Sequence, residues 1–140
     1  MKSTQLVWLH LSLALTTLTG AVFAWMKYLM TSDDEFAVIN HPMQPHMLAA
    51  HVVVAPVLLF ILGWTFSNHM LPKYRSGNPK HRRSGLSAMF LIAPMTLSAY
   101  LLQIATNEGV RQAMTWAHWG TSAVFVGVYV VHVILGVRRG

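Results

Sequence analysis

The chain contains no cysteine. That excludes disulfides, cysteine-ligated iron–sulfur clusters, covalently attached c-type haem and any thiol nucleophile. Charge is scarce as well: charged residues make up 10% of the 140, against about 25% in an ordinary soluble domain. Acids are rarest. Asp33, Asp34 and Glu35 stand together, Glu108 stands alone, and none lies inside an apolar run. Paired carboxylates for acid–base chemistry are therefore missing from those runs, as is a carboxylate relay for protons. No internal repeat and no low-complexity tract is evident.

What the chain has instead is apolar length. Hydrophobic residues make up 54% of it, in runs over 6–28, 47–67, 86–104 and 114–137. A bilayer core takes about 20 apolar residues per helix. The pattern predicts an all-α integral membrane four-helix bundle, one domain over 1–140 with no room for a soluble domain. Pro94 predicts a kink in the third span, and Asn107, Glu108 and Arg111 a short loop after it. Lys2 and residues 22–24 give the first span the look of a signal peptide, but His10 would be odd in such an apolar region.

The net charge of +6 would point to nucleic acid in a soluble protein. Here the cations flank the spans, and no nucleic-acid partner is expected. Pro72, Lys73, Arg75, Gly77, Pro79, Lys80, Arg82 and Arg83 read as a basic loop, and Arg138 and Arg139 end the chain. The acidic loop follows the first span, with Lys27 near its start. By the positive-inside bias the basic loop and both termini face the cytoplasm.

Histidine is costly inside a membrane and usually functional there. Of the 8 histidines, His10, His51, His118 and His132 lie within the spans. His10 and His132 lie a few residues inside the cytoplasmic ends of spans one and four, and His51 and His118 inside the opposite ends of spans two and four. The fourteen-residue interval from His118 to His132 is close to four helical turns, so both share a face, roughly 21 Å apart along the axis. One helix thus offers ligands at two depths, and spans one and two each offer a ligand at a matching depth. This is what two stacked bis-histidine haems require. The plainer reading is that membrane histidines bridge helices by hydrogen bonds, but four paired by depth favour ligation. Gly20, Ala50, Ala55, Gly120, Ser122, Ala123 and Gly127 would leave room for porphyrin or serve close helix packing.

These residues resemble the dihaem cytochrome b subunits of formate dehydrogenases and nickel hydrogenases, a bacterial four-helix family. The resemblance lies in Val7-Trp8-Leu9-His10 with Thr19-Gly20 about ten residues on, in His51 near the outer end of span two, and in Trp116-Ala117-His118 with Val131-His132-Val133. Leu11 stands where the family commonly has an aromatic, and Ala55-Pro56 where it often has a glycine. The resemblance implies two haem b groups, the outer ligated by His51 and His118 and the inner by His10 and His132. It implies electron transfer across the bacterial inner membrane between the quinone pool and a periplasmic-side redox subunit of iron–sulfur or cytochrome c type. The chain would then serve as one subunit of a hetero-oligomeric complex of respiratory oxidoreductase type, not as an enzyme alone. The other readings are a haem-free membrane anchor or assembly subunit and a histidine-based metal or proton transporter.

His69 competes with His10 as the inner ligand, and Asn68, His69 and Lys73 form a candidate quinone-site edge. Lys73, Arg75, Arg138 and Arg139 suit propionates or quinone oxygens, although topology alone accounts for them. His41 and His46 with Met43 and Met47 offer copper-type donors, but a solvated loop is the simpler reading. His81 reads as solvated.

Overall fold

The computed structural model describes residues 3–30, 41–76 and 82–137. All regular structure among them is helical. The helices are α1 (Ser3–Ala24), α2 (Gln44–Thr65), α3 (Leu71–Arg75), α4 (Arg82–Ile104) and α5 (Glu108–Val137). A π-helical turn, Trp25–Leu29, extends α1, and another, Phe66–Met70, joins α2 to α3. Four stretches are long and apolar enough to cross a membrane: Thr4–Leu29, Gln44–Arg75, Gly85–Ile104 and Glu108–Leu135. The protein is a multi-pass membrane protein. Its surface agrees with that solvent, since side chains as apolar as Phe60 and Ile104 stand 74% and 73% exposed.

The chain divides into two compact units, Met1–Pro72 and Lys73–Gly140. Each is built on a helical hairpin, α1 against α2 in the first and α4 against α5 in the second. In the first, Leu58, Ile61, Leu62 and Thr65 form the buried stripe of α2, at the spacing of one helical face. Gln5, Leu9, Ser12 and Leu13 do the same on α1. In the second, Ser98 of α4 and Phe125 of α5 are the buried centre.

Several hydroxyls in these helices bond back to their own backbone. Thr16 donates to the Ser12 carbonyl (2.8 Å), Thr121 to Ala117 (2.6 Å) and Thr115 to Arg111 (2.9 Å). A polar side chain in hydrocarbon is thereby satisfied without a partner helix.

The expected boundaries shift in two places. Pro72, Lys73 and Arg75 are helical, not part of a loop, and Arg82 and Arg83 open α4. The second span therefore runs unbroken for 32 residues, roughly 48 Å at 1.5 Å per residue, well beyond a hydrocarbon core of about 30 Å. Glu108 and Arg111 likewise belong to α5, whose N-terminus is capped by Asn107: its Oδ1 accepts from the Val110 N–H at 3.1 Å. The helix α4 continues through Pro94. Residues 33–35, Gly77, Pro79, Lys80, His81, Arg138 and Arg139 lie outside the described residues.

Candidate metal-ligand histidines

His51 stands on the face of α2 that packs on α1. Its Nδ1 lies 3.0 Å from the Thr16 carbonyl oxygen. A carbonyl can only accept, so Nδ1 carries the proton and Nε2 carries the lone pair of the neutral ring. Thr19 Oγ1 lies 3.4 Å from the same nitrogen, a weaker second acceptor. The Thr19 proton is already committed to the carbonyls of Leu15 (2.8 Å) and Thr16 (3.1 Å). The ring lies directly on Gly20, where a Cβ would stand 2.8 Å from His51 Cε1 and 3.0 Å from Nδ1. Only a residue without a side chain admits the imidazole at that depth.

His118 repeats this arrangement in the second hairpin. Its Nδ1 donates to the Met95 carbonyl of α4 at 3.0 Å. Ser98 Oγ stands 3.5 Å from that nitrogen and commits its own proton to Pro94 O (2.7 Å) and Met95 O (2.9 Å). Both rings therefore hold the Nδ1–H tautomer, anchored to backbone. A metal-bound histidine characteristically donates its other ring N–H to a carbonyl or carboxylate, which fixes its rotation and raises its basicity.

His132 shares the α4-facing side of α5 with His118, and Phe125, 2% exposed, lies midway between them. Its Cε1 is 3.7 Å from the place a Cβ on Gly85 would take. The fourteen-residue spacing thus delivers one face, as expected. His10 sits differently: half-buried, about 120° round α1 from the stripe packed on α2. Of the expected pairs, each takes one histidine from each hairpin: His51 and His10 belong to the first, His118 and His132 to the second.

Two glycines of α5 lie away from the histidines. At 100° per residue, Gly120 and Gly127 fall about 180–200° from His118. Both are exposed, with nothing within 4 Å of where a Cβ would stand, so they open no space beside the histidines.

Among the described residues, no group of three or more His, Cys, Asp or Glu side chains could hold a metal ion by itself. No family model, curated protein or solved structure matches this chain. The site therefore has to be argued from its own geometry.

His69 lies in the π-helical turn Phe66–Met70, half-buried, beside exposed Asn68; Lys73 is exposed on α3. A π turn re-aims side chains and recurs at functional sites. His41 lies just ahead of α2, its Nδ1 accepting from the Met43 N–H at 3.1 Å, while His46 is exposed. Sequence reasoning singled out Thr19-Gly20 but not its purpose, which is to receive His51. It missed the matching pair of Met95 and Ser98. It also missed two polar atoms buried without a hydrogen-bond partner at the open end of the first hairpin, Gln5 Nε2 and Thr65 Oγ1.

Proposed function

We propose that the protein is a membrane electron carrier holding two b-type haems. His51 and His118 would ligate one, His10 and His132 the other. The observation that carries this reading is the shared tautomer of His51 and His118: each holds its Nδ1–H on a backbone carbonyl at 3.0 Å. A histidine kept only to bridge helices satisfies itself with either nitrogen. Two that hold Nδ1 on backbone in the same way share the arrangement of metal-bound histidines. The donor set fits haem iron, which takes imidazole at both axial positions. Gly20 supports the fit, because it exists to seat the ring and not to pack a helix.

Bound haem supplies reversible one-electron chemistry at its iron. The residues of this chain do the rest. Thr16 O and Met95 O orient the rings and strengthen them as donors. The apolar helices keep water and dielectric low around them. His10 and His132 provide the second pair of donors toward the opposite ends of α1 and α5. The π turn with Asn68 and His69, followed by Lys73, offers hydrogen bonds and positive charge for a quinone at the cytoplasmic face. Electrons would pass between that quinone and a redox partner outside the inner membrane.

A reduced-minus-oxidised absorption spectrum, with non-covalent haem quantified per chain, tests this. Two haem b per chain is the expected result. One would leave one of the two pairs without its group. None, in protein purified gently in a mild detergent, would remove the carrier reading and put the haem-free anchor first.

A further inference from the structure

The two histidine networks share their donors and acceptors, and the sequence around them is partly alike. Ala14-Leu15-Thr16-Thr17-Leu18-Thr19-Gly20 of α1 stands against Ala93-Pro94-Met95-Thr96-Leu97-Ser98-Ala99 of α4. Alanine, threonine and leucine recur in register and Thr19 is answered by Ser98, while Gly20, which seats the His51 ring, has Ala99 in its place. Met47, Ala50 and His51 of α2 stand against Met114, Ala117 and His118 of α5 at the same intervals. Seven residues on, Leu58 and Phe125 are buried alike, at 3% and 2%. Leu18 and Leu97 each stand 61% exposed on the opposite side. Short sequence matches of this kind carry little alone. The geometry adds independent weight: in both hairpins one hydroxyl donates back to carbonyls three and four residues earlier, and the histidine donates to the nearer of the two.

We propose that the chain is a tandem duplication of one imidazole-presenting hairpin. His51 and His118 are then equivalent residues, each with Nδ1 pinned to a backbone carbonyl before any cofactor arrives. The ligand class this fits is a metal macrocycle with two equivalent axial positions. That last step rests on the haem reading; the duplication and the preset tautomer do not.

The correspondence ends at the open ends of the hairpins. In the α1–α4 register Met89 stands where His10 does, and Leu6 where Gly85 does; in the α2–α5 register Thr65 stands where His132 does. His10 and His132 are therefore not related to each other by the duplication, whereas His51 and His118 are.

The test uses the full chain, labelled with ¹⁵N-histidine, prepared from haem-depleted cells and held in detergent micelles. Long-range ¹H–¹⁵N correlation reads the tautomer of each ring. Two neutral rings protonated on Nδ1 are expected, one absent from His51→Gln and one from His118→Gln. Thr19→Val should shift only the His51 ring and Ser98→Val only the His118 ring, by similar amounts, whereas Thr19→Ser and Ser98→Thr leave both in place. A proton on Nε2 of either ring, or a response from one hairpin and not the other, overturns the proposal. If a valine variant does not fold, the wild type and the two exchange variants still decide it. Pinned rings in a protein that takes up no added haem would sink the haem reading and leave the duplication standing. Haem uptake by rings protonated on Nε2 would do the reverse.

Discussion

Gly20 shows how much can rest on one hydrogen atom. A methyl group there would lie 2.8 Å from His51 Cε1, and the atom it meets is a ring held by a hydrogen bond at 3.0 Å. Overpacking of this kind costs about 1–3 kcal/mol. Gly20→Ala should therefore displace the ring and roughly halve the haem content measured by pyridine haemochrome assay. Gly63→Ala is the control, since nothing lies within 4 Å of its Cβ position. It should leave haem content unchanged and gain up to about 1 kcal/mol of helix propensity, seen as a higher Tm. His51 was legible in the sequence as a ligand candidate. That Thr19-Gly20 serves it, at a remove of 31 and 32 residues, was not, because nothing local ties a glycine on one helix to an imidazole on the next.

Elements show where sequence signals mislead and why. Pro72 reads as a breaker, yet it lies in the first turn of α3, just after a π turn. Its fixed φ suits a helix, and the one backbone hydrogen bond it forgoes falls where the π turn has already shifted the pairing, Leu71 N–H bonding to Phe66 O. The polar residues Asn107, Glu108 and Arg111 read as loop, yet they are a cap and the first turn of α5. An Asn cap with an acid behind it is a helix start when the apolar run follows at once. Asn107→Ala should cost about 1 kcal/mol and raise hydrogen exchange at the Val110 amide, with the His118 ring undisturbed. A larger loss, or one that reaches His118, would mean that Asn107 does more than cap. The C-terminal end of the first span carries its own interfacial anchor: Lys27 Nζ lies 5.7 Å from the Phe23 ring centre and 5.2 Å from that of Tyr28. Lysine over aromatics at a span end suits the headgroup region.

For the whole molecule the decisive question is orientation. The chain lacks cysteine, so single cysteines report without a background. With the basic segment inside, Ser76→Cys should be protected from a membrane-impermeant maleimide in intact cells and labelled after permeabilisation. Thr106→Cys, in the turn between α4 and α5, should label in intact cells. The opposite pattern would reverse the topology and move the proposed quinone edge to the outer face. A carrier of this kind also predicts that His10→Ala and His118→Ala each remove one haem from a different site. Their absorption spectra should add up to that of the wild type, because ligands of separate sites act independently.

The number of spans, their all-helical nature and their histidines follow from the sequence alone. Apolar length beyond about 20 residues leaves the backbone no alternative to helix in a bilayer, and a fourteen-residue interval returns a side chain to its own face. The tertiary structure decided what those histidines touch. It set Nδ1 of His51 and of His118 on backbone carbonyls, placed Gly20 beneath one ring, and turned Gly120 and Gly127 away from the other. It also gave the two hairpins the same hydroxyl back-bonds beside those histidines. A carbonyl carries no residue identity, so the Thr16 and Met95 acceptors become equivalent only when helices pack and the same atoms arrive at the same distance.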